Sequence, residues 1–354
     1  VRITAGRSPC WACGLQIDIG AASQVTKHET GETMSATAIP YHPQLRREAR
    51  AEWVFRGLTV ASAALVLILL AGVLIALCYG GWPALKTFRF GFLTHEIWNP
   101  VTDQFGALAP LYGTVVTSLI AMLIAVPLAF GIAVFLTETC PLWLRGPISS
   151  GIELLAAVPS IVFGIWGLFV LAPVLQHSVQ PWLIGTFGDL PWIGKLFRGP
   201  PYGIGLMTAG LVLAVMVLPF ITSVMREVFL ATPRSLKEAA YSLGATQWEV
   251  VWDVVLSNSR VGIIGGIMLG LGRALGETMA VTFVVGNAHR ISPSLLAPGT
   301  TISASIANEF TEAVGALYTS SLIALGLLLF VLTFTIIAAA RLLLLQIERR
   351  GARV

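Results

Sequence analysis

Charge is what this sequence has least of. Asp, Glu, Lys and Arg make up 11% of its 354 residues, against roughly a quarter in soluble domains, and a water-facing shell around a globular core is excluded for most of the chain. Cysteine is sparse as well. Cys10 and Cys13 fall in the amino-terminal tail, Cys78 at the outer end of the first apolar run and Cys140 in an inner loop, which is no disulfide framework. The CxxC spacing of Cys10 and Cys13 lacks the second pair or nearby His that a zinc site needs. His28, His42, His95, His177 and His289 are expected outside the spans and show no HExxH spacing, which leaves metalloprotease chemistry without support. No GxxxxGK[ST] phosphate loop occurs, since Gly194 and Lys195 lack the glycine that should precede them, so this chain is not expected to hydrolyse nucleotide. A basic stripe with interleaved aromatics is missing too, and the net charge of +4 therefore does not point to nucleic acid.

What is present is apolar length. Hydrophobic residues make up 56% of the chain and the mean hydropathy is +0.81. Five runs without any charge reach the roughly 20 residues a bilayer span needs: Gly57 to Tyr79, Leu111 to Thr137, Leu154 to Leu175, Gly203 to Met225 and Ala313 to Ala340. A sixth, Val261 to Gly286, is interrupted only by Arg273 and Glu277. The expectation is an all-α membrane protein of six transmembrane helices.

The basic residues orient it. With the amino terminus inside, the inner segments from Arg46 onward hold thirteen Lys or Arg and the outer loops five: Lys86, Arg89, Lys195, Arg198 and Arg290. Both termini are thus cytoplasmic, and so is the loop 231–260. Residues 1–45 are expected to form a disordered tail without a signal peptide, with Met34 a candidate start, and 46–354 one membrane domain. Outer loops are expected over 80–110, 176–202 and 287–312. Their Trp82, Trp98, Trp182 and Trp192 suit an interfacial belt or a contact surface for an external partner. Pro127, Pro159 and Pro219 lie inside spans as read, either as static kinks or as hinges.

Within the inner loop, Ser235 with Glu238 and Thr246 with Glu249 each have the spacing of a capping box. Gly244 between them is placed to stop the first helix in the left-handed conformation. A helix, turn and helix is expected on the cytoplasmic face. In the fifth span, Gly262, Gly266, Gly270 and Ala274 recur every four residues and form a smooth ridge for close helix packing. An Arg at bilayer depth costs about 2.5 to 3.5 kcal/mol on insertion scales, so Arg273 must be compensated. Glu277 lies four residues on, yet Arg before Glu is the weaker order for helix stabilisation. Either the two form a structural salt bridge, or the Arg273 fork meets a passing oxyanion while Glu277 competes for it and keeps binding weak. Thr278, Thr282 and Asn287 are candidates for further hydrogen bonds along such a path, although Thr commonly bonds its own helix backbone.

Two runs carry a family resemblance. EAAYSLGA resembles the EAA motif of ABC-importer permeases: Glu238, Ala239, Ala240 and Gly244 match, Val254 and Leu256 match the later part in type, and Ser257 stands where the pattern has Pro. LGLGRALGETMAVTFVVGN, together with LLAAVPSIVFGIWGL from Leu154 to Leu168, closely resembles the permease subunits of bacterial phosphate ABC importers, over about residues 50–350. The resemblance implies a type I, MetI-like permease fold in the bacterial inner membrane. It also implies a coupling loop that docks on an ATPase, and Arg273 with Glu277 as the charged pair of phosphate passage. The implied partners are a second homologous permease, two ATPase subunits that bind ATP and Mg, and a periplasmic phosphate-binding protein; no cofactor is expected on this chain. Sulfate or molybdate as substrate, an ATP-independent transporter or channel, and a sensory scaffold remain as alternatives.

Overall fold

The computed structural model describes residues 44–191 and 194–351. Most of the expected tail, with Cys10 and Cys13, and Trp192 lie outside the described residues. The chain divides at Ala64 into two units. In the first, residues 44–64 are the opening turns of helix α1 (Gln44–Phe88).

The second unit begins with the rest of α1. A single turn, α2 (Gly91–Thr94), and a minimal antiparallel hairpin of β1 (Trp98–Asn99) and β2 (Gln104–Phe105) follow. Next come α3 (Leu108–Thr139), α4 (Leu142–Ala157), α5 (Ser160–Phe187) and the short α6 (Gly194–Phe197). Then come α7 (Leu206–Leu230), α8 (Arg234–Ser242), α9 (Gln247–Leu275) and the one-turn α10 (Met279–Thr282). The chain ends with α11 (Ile302–Glu309) and α12 (Ala316–Gly351). Six of these, α1, α3, α5, α7, α9 and α12, are long and apolar enough to cross a bilayer.

Helix α7 is the hub. Leu213, Val217, Ile221, Met225 and Phe229 on it are fully or almost fully buried. Along α3, Ala121, Ala125, Ala129 and Ala133 recur every four residues with no exposure at all, and this small-residue face lets the α7 backbone come close. From the other helix, Gly210 of α7 approaches Ile120 so nearly that a Cβ there would lie 2.6 Å from its side chain. Helix α9 packs on α7 through the expected ridge. Cβ atoms added at Gly262, Gly266 and Gly270 would lie 2.5, 3.1 and 2.6 Å from Val228, Val224 and Ile221, and Ala274 is buried one turn further on.

Several span boundaries differ from the sequence expectation, and α1 runs on to Phe88, nine residues past Tyr79 into the expected first outer loop. The run Leu154 to Leu175 is divided: α4 ends at Ala157, Val158 is extended with ψ 130°, and Pro159 precedes the first turn of α5. Proline disfavours helical backbone at the residue before it, so Pro159 separates two helices where a kink or hinge within one span was expected. Pro127 and Pro219 do lie inside helices. Helix α5 then runs on to Phe187 through two wider π-type stretches, which takes His177 into the helix and shortens the second outer loop. Finally, α9 starts at Gln247 and stops at Leu275, eleven residues short of Gly286.

Candidate functional site

The cytoplasmic segment is built as a helix, a glycine turn and a capped helix. Gly244 has φ +88°, the left-handed conformation that glycine adopts without strain, and the Ala245 N–H closes the turn on the Ala240 carbonyl. The Thr246 and Glu249 capping box is present in both directions. The box expected at Ser235 and Glu238 is absent. Pro233 takes the capping position with ψ 131°, helix α8 starts at Arg234, and Ser235 already lies inside the first turn. Glu238 is left exposed with its carboxylate in solvent, beside exposed Ala239 and half-buried Ala240. Leu243 is 90% exposed and Trp248 67%, with Trp248 stacked on Trp252 at 5.5 Å. So much apolar surface at the end of a short polar segment suits a partner.

This segment is tied to α3 by one residue that the sequence reading did not single out. Glu138 is 9% exposed, its carboxylate pairs with Lys237 of α8, and its backbone carbonyl accepts from the Gln247 amide at 2.9 Å. The sequence signal was a lone carboxylate just past a 27-residue uncharged run. Arg226, at the inner end of α7, reaches Glu153 of α4 at 3.4 Å and its neighbour Glu227 at 3.1 Å.

At the other end of α9 the two intramembrane charges separate. Gly276 closes the helix with its N–H on the Gly272 carbonyl, and Glu277 and Thr278 are non-helical. The Glu277 carboxylate accepts instead from the Ala280 N–H at 3.4 Å, three residues on, in the first turn of α10. Four-residue helical spacing therefore does not apply across Arg273 and Glu277, and among the described residues no ion pair joins them. Arg273 is exposed in the isolated chain, its guanidinium carbon 5.8 Å from the centre of the Phe220 ring of α7. Such a contact supplies about 0.5 to 2 kcal/mol, short of the cost of an Arg at bilayer depth. Lipid is a poor neighbour for this side chain, and water, an anion or a second chain a good one. Thr282 bonds the carbonyl of Thr278 at 2.8 Å, and Thr278 that of Gly276 at 3.5 Å. Asn287, with φ +51°, donates to the Thr282 carbonyl at 3.4 Å.

The break itself is informative. Non-helical backbone at membrane depth persists only where protein or a wet cavity satisfies it. Here Ala280 packs against Gly164 of α5, where an added Cβ would lie 3.0 Å from the Ala280 Cα. The short helix α10 that follows the break is thus seated on Gly164 of the third span. The family described as Binding-protein-dependent transport system inner membrane component matches residues 126–348, a stretch that runs from inside α3 to the end of α12 and holds both the glycine turn and the helix break. The chain belongs to this family.

Relatives cover nearly the whole permease. The "Phosphate transport system permease protein PstC" of Mesorhizobium japonicum is 61% identical over 90% of this chain and 98% of its own length. The protein of that name from Xylella fastidiosa is 56% identical over 90% and 99%. "Phosphate transport system permease protein PstC 2" of Mycobacterium tuberculosis is 40% identical over 84% and 93%. Among solved structures, a chain of a bacterial ABC transporter that imports alginate superposes with TM-score 0.55 at 15% identity, over 86% of this chain and 99% of that one. At that identity the likeness concerns fold alone, and the fold is that of an ABC-importer permease.

The outer face of the permease holds a cluster that sequence reasoning missed. Glu309 of α11 accepts from the Trp98 indole at 2.6 Å and the Tyr318 hydroxyl at 2.7 Å, and its second oxygen meets His289 Nε2 at 2.6 Å. Trp98 stacks on His289 with ring centres 5.2 Å apart. Trp98 is thereby an internal strut of the outer loops, in contrast to Trp82 and Trp182, which stay more than 60% exposed as belt residues do. Burial pushes the Glu309 carboxyl up, but the bonds from His289 and Tyr318, the His289 charge and the Trp98 bond together hold it below its ordinary value.

Proposed function

We propose that this chain is a permease subunit of an ATP-driven phosphate importer and carries half of the translocation path, with Arg273 as the anion-contacting group. The observation that carries the reading is the exposed guanidinium of Arg273, which among the described residues has no carboxylate partner and lies two residues before the end of α9. It is supported by the printed names of relatives up to 61% identical, which are phosphate permeases. Phosphate leaves the binding protein at the outer face and meets the planar Arg273 fork, which suits a tetrahedral oxyanion bidentately. Glu277 stands across the helix break as a competing charge and keeps residence short, as passage requires.

The energy enters from below. The exposed face of α8, from Glu238 to Gly244, is the docking surface for an ATPase subunit that holds ATP and Mg. Movement of α8 reaches α3 through Lys237 and Glu138, and reaches α9 through the Gly244 turn. A second, homologous permease closes the other half of the path, and a periplasmic binding protein supplies affinity. Thr278, Thr282 and Asn287 line the way out of α10.

The test is uptake of labelled phosphate by the assembled importer. Arg273→Ala abolishes uptake with subunit level and assembly unchanged, while Arg273→Lys keeps a part of it. Full transport by Arg273→Ala would overturn the assignment.

A further inference from the structure

Only five basic residues lie on outer segments, and the fold brings two of them, from different loops, into one place. Arg198 follows α6 and Arg290 follows α10, and both line a hollow of about 360 Å³ together with Tyr202, Ser292 and Ser294. Among the described residues neither guanidinium has a carboxylate within ion-pair distance. Arg198 is steadied by its Nε–H on the Gly188 carbonyl at 2.8 Å, a bond that leaves its two terminal nitrogens free to donate.

The walls are laced by backbone. The Leu295 N–H donates to the Leu196 carbonyl at 2.9 Å, Met207 N–H to Leu295 at 2.9 Å and Gly205 N–H to Val284 at 2.9 Å. Gly205 sits so close that an added Cβ would lie 2.7 Å from the carbonyl oxygens of Leu296 and Ala297. Two forks and the Ser292 hydroxyl, which only accepts from the Ser294 N–H and keeps its own proton to donate, suit a tetrahedral oxyanion, while the Ser294 hydroxyl is spent on the Leu196 carbonyl. Ala288, in the same wall, adjoins Asn287 and so leads toward α10 and the broken end of α9. Glu96 accepts from the Ile291 N–H, next to Arg290.

We propose that Arg198 and Arg290 form an outer receiving site that holds free phosphate before it reaches Arg273. This rests on the phosphate reading above and adds a station to it. A basic hollow of this kind raises the arrival rate of an anion by about tenfold or more at low ionic strength. Lipid headgroups carry the same phosphate chemistry, and the test separates the two sources.

The assembled importer, without its binding protein, is labelled with phenylglyoxal in lipid-free detergent, and each modified arginine is quantified by mass spectrometry. Inorganic phosphate slows labelling of Arg198 and Arg290 several-fold relative to chloride at matched ionic strength. Arg273 is scored in the same spectra, so loss of protection there alone counts against the pathway reading and loss at Arg198 and Arg290 alone against this one. Arg290→Gln, and the double variant Arg198→Gln with Arg290→Gln, lower uptake about tenfold at low salt and less at high salt. Absence of phosphate-specific protection overturns the proposal. So does protection only by phosphatidylglycerol in nanodiscs, or a loss of binding-protein capture in Arg290→Gln without phosphate protection.

Discussion

Trp98 donates its indole N–H to the carboxylate of Glu309 across 2.6 Å, and the two residues lie 211 positions apart in the chain. With His289 and Tyr318 on the same carboxylate, the bond fastens the β1 hairpin to the third outer loop and the start of α12. One carboxylate thus joins three parts of the outer rim.

That group sets a pH dependence. Glu309 is held below its ordinary value, so the folded protein binds its proton less readily than the unfolded chain does. Its stabilising contribution is fully present above the unfolded carboxyl value near ~4.3 and is lost as pH falls through the lowered folded value. Melting temperatures of the purified permease between about pH 5 and pH 3 should decline more steeply for the wild type than for Glu309→Gln, which starts lower. Parallel curves would remove Glu309 from the account.

The glycine ridge predicts opposite outcomes for one residue type. An added Cβ at Gly270 meets Ile221 at 2.6 Å, whereas nothing lies within 4 Å of one at Gly265. Gly270→Ala should destabilise by about 1 to 3 kcal/mol through overpacking, and Gly265→Ala should be neutral or slightly stabilising. Thermal unfolding in detergent separates them; equal melting points would mean that α9 does not pack on α7 as described.

Gly244 is a different case, because open space surrounds its Cβ position and only its φ of +88° opposes a side chain. Gly244→Ala should cost about 1 to 2 kcal/mol locally while the importer still assembles. ATP hydrolysis measured beside phosphate uptake should then come uncoupled. Normal coupling would refute a mechanical role for the turn.

The Glu138 tie is open to charge exchange. Glu138→Lys alone should impair uptake strongly, since it sets a second cation against Lys237 in a poorly exposed site. The double variant with Lys237→Glu should recover much of the loss. If the double variant is as poor as the single one, the pair does not transmit force.

Much of this architecture was readable residue by residue. Six uncharged or nearly uncharged runs fixed the number of spans, and the inner excess of basic residues placed the EAA-like loop in the cytoplasm. The Thr246 box, the left-handed Gly244 and the four-residue ridge in α9 were also legible, because each depends on neighbours within one or two turns. The two misread span ends have one cause. Hydropathy counts apolar residues and does not see where a helix stops, so Val158 before Pro159 and the stop at Gly276 were both read through as continuous span.

Composition and local spacing thus determined how many times the chain crosses the bilayer and which way it faces, since each run must satisfy its backbone within itself. They also marked Arg273 as costly. Tertiary structure alone decided what the other charged and polar groups meet: Arg273 a ring of α7 and, among the described residues, no carboxylate, Glu309 an indole 211 residues away, Arg198 and Arg290 a common hollow. Those partners come from distant loops and helices. No periodicity of 3.6 residues encodes them, because they are chosen only when packing around α7 fixes which surfaces remain to face one another.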